Sequence, residues 1–305
     1  MDWDDLKVFL AVARDDSLSR AGRRLGMDPS TVGRRITRLE SALGHPLFMK
    51  SPQGYSLTSE GARLVPHAEA AERELSGIAD SLGQPGEITG QLRIGAPDGC
   101  ANYLLPQVTA AMCDAHPGLE IQIVALPRVF NLSKREADFA IAVSRPESGR
   151  LVVQRLCDYH LHLAAHRDYL AMCTPVTSLS DLRGHRLIGY IPDMIFDSEL
   201  DYLAPLLSRS GADPARLTSN SVSVQMQAIR NGAGIGIVHD FAVPFTPGVT
   251  RILADEFSLS RSFWIIRHAD DQRSHRLNRL ADELVKIMRA EVARLESGVG
   301  SDCRA

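Results

Sequence analysis

Between Asp28 and Leu43, side chains able to meet a polyanion recur at helical spacing. Ser30, Thr31, Arg34, Arg35, Thr37 and Arg38 supply short hydroxyls and guanidinium forks, the groups that hydrogen-bond base edges and pair with phosphates. Val32, Ile36, Leu39 and Leu43 share a narrow arc of the same segment and fix its inward face. With about 100° between residues, Ser30, Arg34 and Thr37 then point most nearly outward, and Thr31, Arg35 and Arg38 lie on the flank. A basic helix face that meets only solvent has the same composition, so its surroundings have to decide between the two. From Ser17 to Arg63 eight bases face three acids, a local charge of +5 in a chain whose total is −3. That distribution argues against a protein that coats nucleic acid everywhere, so DNA binding would have to rest on local charge such as this segment carries.

Other residues that could do chemistry are more scattered. The chain has no Gly-x-Ser-x-Gly elbow, no His-Glu-x-x-His pair and no phosphate loop, so an enzyme is not expected. Gly232-Ala-Gly-Ile-Gly236 follows a helical stretch and precedes a strand, the reverse of the order a dinucleotide-binding turn needs, and reads as a helix stop. Alternation puts His160 and His162 on one strand face with His166 nearby, yet only Asp158 stands beside them as a further ligand; ordinary strand histidines are favoured over a metal site. The cysteines, Cys100, Cys113, Cys157, Cys173 and Cys303, form no Cys-x-x-Cys pair, and no metal or cofactor is expected. Cys100 is either a sensor thiol at a helix N-terminus or, as preferred, a small buried hydrophobe. No apolar run approaches the roughly 20 residues of a bilayer span. The acidic start Met1-Asp2-Trp3-Asp4-Asp5 lacks the positive flank of a signal peptide, so a cytoplasmic protein without a membrane partner is expected.

The elements that must position the basic face can be read in order. Leu6, Phe9, Leu10 and Ala13 give an amphipathic helix over about Asp4–Arg14. Ser19 is a candidate cap for a short helix carrying Ala21 and Leu25, and Gly26 supplies the left-handed turn. Asp28 then caps a third helix with Pro29 at its first position. Two short helices joined by a tight glycine turn, the second opening with polar residues and arginines, suit a helix laid in a major groove. Leu47–Lys50 and Tyr55–Leu57 flank Ser51-Pro52-Gln53-Gly54 as a small hairpin, which lets Lys50 reach a phosphate. Thr58 caps a long helix to about Leu82, whose stripe of Leu64, Ala68, Ala71, Leu75, Ile78 and Leu82 would pair with a second copy or pack on the chain's own remainder.

From Gly90 the pattern changes to short apolar strands alternating with helices. Strands are expected at Gln91–Ala96, Leu119–Val124, Ala137–Val143, Leu187–Tyr190 and Gly234–Val238, and helices at Tyr103–Ala115, Leu132–Glu136, Glu199–Ser210, Ser221–Asn231 and Ser274–Leu295.

The combined spacing of Phe9-Leu-Ala-Val-Ala-Arg, Ser17-Leu-Ser-Arg-Ala21, Arg24-Leu25, Ser30-Thr-Val, Arg38-Leu-Glu, Leu43-Gly44, Pro46-Leu-Phe48 and Leu57-Thr-x-x-Gly61 resembles the LysR-type transcriptional regulators. Gly33, Gly22 and Met49-Lys50 depart from the family's usual residues. The resemblance implies an N-terminal winged helix-turn-helix over 1–58, a linker and dimerisation helix with hinge over 59–86, and an α/β effector domain over 87–298 similar to periplasmic binding proteins. Its lobes would be 87–163 with 267–298, and 164–266, crossing near Leu161–His166 and returning near Trp264–His268; 299–305 would be a disordered tail. Implied partners are double-stranded operator DNA, a small-molecule effector, further copies of the chain as a dimer through the linker helix and a tetramer, and RNA polymerase as a candidate. By the same resemblance Asp98, Gly99 and Cys100, together with Ser221 and Ser223, face the effector cleft, with Arg128 and Arg145 near its mouth. Such loops lie beyond strand carboxyl ends, where open α/β sheets bind ligands. Asp98 stands where the family often has a hydroxyl; unless Arg128 or Arg145 neutralised it, it would repel an anionic effector, and it is also a natural cap for the helix that follows. The alternative reading is a solute-binding or enzymatic α/β protein with a basic helical appendage.

Overall fold

A computed structural model describes residues 2–51, 54–82, 88–125 and 137–299. Contacts divide the chain into two compact units, Met1–Gly86 and Glu87–Ala305, each with its own core. Among the described residues no helix is long and apolar enough to cross a membrane.

The N-terminal unit runs α1 (Trp3–Asp15), α2 (Leu18–Leu25), α3 (Pro29–Leu43), β1 (Phe48–Ser51), β2 (Gly54–Leu57) and α4 (Ser59–Leu82). Phe9, Leu10 and Val12 from α1, Ala21 from α2, and Val32, Ile36 and Leu39 from α3 are buried together, so the apolar arcs read from the sequence do meet. The cap of α2 is Ser17, which accepts from the Arg20 amide at 3.4 Å, and not Ser19; Ser19 sits inside the first turn. Gly26 takes the left-handed conformation at φ 64° that ends α2 in one residue. Asp28 accepts from the Ser30 amide at 2.8 Å with Pro29 in the first turn, which starts α3 at once.

Gly61 fixes how α4 leaves the hairpin. A methyl group at position 61 would lie 2.1 Å from the Leu47 carbonyl oxygen, so only glycine allows this approach. Thr58 joins the same corner: its hydroxyl donates to Pro46 O at 2.7 Å and accepts from the Gly61 amide at 3.0 Å.

The C-terminal unit contains β3 (Gly90–Ala96), α5 (Asp98–Tyr103), α6 (Leu105–Ala115), β4 (Leu119–Ala125), β5 (Phe139–Ala142), β6 (Leu151–His166), α7 (Arg167–Met172) and β7 (Leu187–Gly189). It continues through α8 (Leu203–Ser210), β8 (Leu217–Thr218), α9 (Val222–Arg230), β9 (Ile235–His239), β10 (Val249–Arg251), β11 (Ser258–His268) and α10 (His275–Val299). Its strands form one mixed sheet in the order β4-β3-β5-β11-β6-β9-β7-β8, with β10 also on β6. The two ends are parallel, β3 with β4 and β5, and β7 with β8 and β9. An antiparallel ribbon joins them, β6 against β11 from Leu151 opposite His268 to His162 opposite Ser258.

This ribbon is where the sequence reading falls short. The crossings near Leu161–His166 and Trp264–His268 are parts of strands that begin about ten and six residues earlier, and their exposed or mixed faces hid the strand alternation. The helix expected at Tyr103–Ala115 is α6, which starts two residues later at Leu105 with Pro106 in its first turn, while Tyr103 ends the preceding α5. The short helix expected at Leu132–Glu136, Arg128, and residues 300–305 of the expected tail lie outside the described residues.

Candidate nucleic-acid interface and effector cleft

On α3, Ser30, Arg34, Thr37 and Arg38 are exposed and Thr31 and Arg35 are half-buried, opposite the buried Val32, Ile36 and Leu39. Within this face the arginines have different partners. Arg34 donates to Thr31 Oγ1 at 3.1 Å and so keeps a neighbour on its own outer face. Arg38 grips the buried carboxylate of Asp5 through two nitrogens, Nε at 2.6 Å, and also reaches Asp2 at 3.4 Å. Arg35 lies 3.5 Å from Asp4 and 3.6 Å from Asp5. Asp5 therefore ties α3 to the first turn of α1, and the hydrogen bond from Arg38 raises that guanidinium's pKa further. The acidic N-terminus, read only as an unsuitable signal peptide, supplies these anchors.

The hairpin is set by the same helix. Glu40 Oε1 accepts from the amides of Leu47 at 2.7 Å and Phe48 at 3.2 Å, holding the entry to β1 against α3. Phe48 packs between Phe9 and Tyr55, with ring centroids 5.4 and 6.1 Å away. Lys50 pairs in register with Tyr55 and is exposed. Position 22, glycine here, has its reason in the turn: a methyl group would approach Met27 O to 2.6 Å.

In the C-terminal unit Asp98, Gly99, Ser221 and Ser223, four of the residues expected at a cleft, come together. Asp98 is the first residue of α5 after Pro97, and its side chain makes no cap for that helix. Its carboxylate crosses instead to α9: Oδ2 accepts from the Ser223 amide at 2.8 Å and from Ser221 Oγ at 3.0 Å. Oδ1 accepts from Asn102 Nδ2 at 2.9 Å. Ser221 is meanwhile the N-cap of α9, accepting from the Val224 amide at 3.2 Å. Gly99 packs on Val222 and on the His239 ring, which a Cβ there would meet at 3.3 Å.

His239, Tyr190 and Tyr202 complete this interior, and nothing in their spacing announced them. His239 is 3% exposed, and burial pulls its pKa down to about 4, so it is neutral at ordinary pH. Its Nε2 lies 3.5 Å from the Tyr202 hydroxyl. Burial also raises the phenols of Tyr103 and Tyr190, and the nearby charge of Asp98 adds to both shifts. Tyr190 and Tyr202 also line a largely apolar pocket of about 290 Å³ between the β7–β9 end of the sheet and α8.

Arg145 is exposed and stands over the Trp264 ring at 5.9 Å. Cys100 is fully buried, and burial lifts its thiol well above the ordinary range, which favours the small-hydrophobe reading over a reactive thiolate. His160 pairs with Glu296 at 2.8 Å and His162 with Asp240 at 2.9 Å. Among the described residues no group of three histidine, cysteine or acidic side chains is placed to hold a metal.

Known proteins share both units. Residues 3–62 match the bacterial regulatory helix-turn-helix of the lysR family, and residues 85–289 match the LysR substrate binding domain. The transcriptional regulator PtxR of Pseudomonas aeruginosa is 27% identical over 249 residues, covering 80% of this chain and 78% of the relative. DgdR of Burkholderia cepacia is 30% identical over 257 residues, 80% of each. Among solved structures, CrgA, a LysR-type regulator from Neisseria meningitidis, shares the fold with a TM-score of 0.58 at 24% identity over 94% of this chain and 99% of that one. A full-length OxyR variant from Pseudomonas aeruginosa gives 0.65 at 18% identity over 93% and 98%. With a helix-turn-helix and a two-lobed α/β domain both matched along most of its length, the chain belongs to the LysR family of DNA-binding transcriptional regulators with an effector-binding domain.

Proposed function

We propose that α3 and the β1–β2 wing bind double-stranded operator DNA and that a small molecule held between the two ends of the C-terminal sheet changes that binding. One observation carries the reading: Ser30, Arg34 and Thr37 are exposed along one line of α3 while the opposite arc is buried. Ser30, Thr31, Arg34 and Thr37 then meet base edges, and Lys50 meets a phosphate beside the groove. Arg35 and Arg38, held by Asp4 and Asp5, present charge to the flanking phosphates from fixed positions.

On α4, Ala68 belongs to its own unit's core and Leu75 is 43% exposed; the side chains of Ile78 and Leu82 lie outside the described residues. The exposed part of the stripe supports a dimer through α4, with a tetramer built from two dimers and RNA polymerase as a further partner. Action in the cytoplasm follows from such partners. Nothing observed favours the alternative of an enzyme or solute carrier.

The test is a footprint on DNA upstream of the gene and its neighbours, repeated with metabolites of the adjacent pathway. Protection that changes with one of them supports the proposal. Absence of any protected sequence, or normal cellular output after removal of residues 1–86, overturns it.

A further inference from the structure

We infer that Asp98 is a built-in anion occupying the seat that an acidic effector would need, so that the cleft takes effectors which bring an uncharged or cationic group to this end. The inference rests on the cleft reading above and narrows its chemistry. α9 starts with a serine cap and with first-turn amides that have no partner inside the helix ladder, the kind of helix terminus that attracts a carboxylate or phosphate. Here that position is filled from within. Asp98 Oδ2 takes both the Ser223 amide and the Ser221 hydroxyl, and Asn102 takes Oδ1.

The charge comes from the other half of the sheet. Asp98 begins the helix after β3, in the β4-β3-β5 end, whereas α9 leads into β9 in the β9-β7-β8 end. A second bridge runs in the opposite sense, from Ser144, just after β5, to the carboxylate of Asp197 near β7. Each half thus lends a carboxylate to serines of the other. Among the described residues at this end, the buried His239 is neutral at ordinary pH and the Arg145 guanidinium lies over the Trp264 ring. A bound carboxylate would have to displace Asp98 from its donors and leave that charge beside the half-buried Tyr190 and the buried His239, or sit next to it; both are costly.

The experiment titrates acetate and benzoate into the full-length protein at constant ionic strength with chloride, reading heat of binding and the Ser221 and Ser223 amide resonances. The wild type should show no saturable site at α9. Asp98→Ser should gain one, tighter by about tenfold or more, because the vacated amide and hydroxyl become available to a charge-assisted pair. Asp98→Asn, nearly isosteric, should gain a weaker one and serves if the serine variant does not fold. Equal binding by wild type and variants, or no gain in a folded variant, overturns the inference. Should neither variant fold, the wild type decides alone: a saturable carboxylate site that moves those amides refutes it, and silence supports it. None of these readings uses DNA, so a failure of operator binding would count against the proposed function and leave this result standing.

Discussion

Two helix starts in this molecule are built for opposite ends. α3 opens with Asp28 and Pro29 and then turns hydroxyls and Arg34 outward, away from the core of its unit. α9 opens with Ser221 and has its amide and hydroxyl claimed by Asp98 from across the sheet. The first is an open contact surface on a rigid support, the second a contact already made. One chain thus carries a helix start whose polar face is left exposed and another whose donors are satisfied from across its own sheet.

The sharpest way to break the comparison is to remove the support of the open face. Leu39→Ala deletes a fully buried side chain of the N-terminal core, and should lower the stability of that unit by about 2–5 kcal/mol. In calorimetry the C-terminal unit should keep its own transition; a common shift of both would show that the two units do not unfold separately.

The filled end should reveal itself through pH. The folded chain protonates His239 only near pH 4, whereas the unfolded chain does so at the ordinary 6.5. The resulting stability is complete above pH 6.5 and is lost as pH falls from 6.5 through 4, by on the order of 3 kcal/mol. His239→Gln should flatten urea-unfolding free energies across that window, and an unchanged slope would argue that the ring is solvated.

Smaller again is the open face itself. Arg34→Ala should weaken specific operator binding by about 1–3 kcal/mol and leave the melting temperature alone. Arg38→Ala, by freeing the buried Asp5, should lower the melting temperature as well. If the two variants behave alike in both assays, the division drawn between a contact arginine and an anchored one is wrong. Smallest is Lys50→Ala, expected to reduce affinity on any DNA sequence and to lower the salt slope by about one; loss of sequence preference would move Lys50 to a base edge.

How much of this was legible differs between the units for a physical reason. In the N-terminal unit Val32, Ile36 and Leu39 announce themselves by periodicity and Asp28, Pro29 and Gly26 by local backbone needs, so neighbours in sequence carry the information. Even there, the hold of Asp5 on Arg38 spans 33 residues and left no pattern. In the C-terminal unit, Asp98 and Ser223 are in contact and 125 positions apart. Spacing pointed to both loops only through the family resemblance, and the natural guess that Asp98 caps its own helix fails because its carboxylate finds better donors across the sheet. His239, Tyr190 and Tyr202 lie at the ends of apolar strands or in loops, where a sequence shows a buried residue and not its neighbours.

The shared strands also limit how any signal could travel. Since β6 and β11 remain laddered along their length, with one register shift between Phe263 and Trp264, the halves of the C-terminal unit are not hung on slack tethers. They are coupled like the two ends of a torsion bar. A load on either end would reach the other through this ladder, and the irregularity between Phe263 and Trp264 is the one place where its pairing departs from regular register.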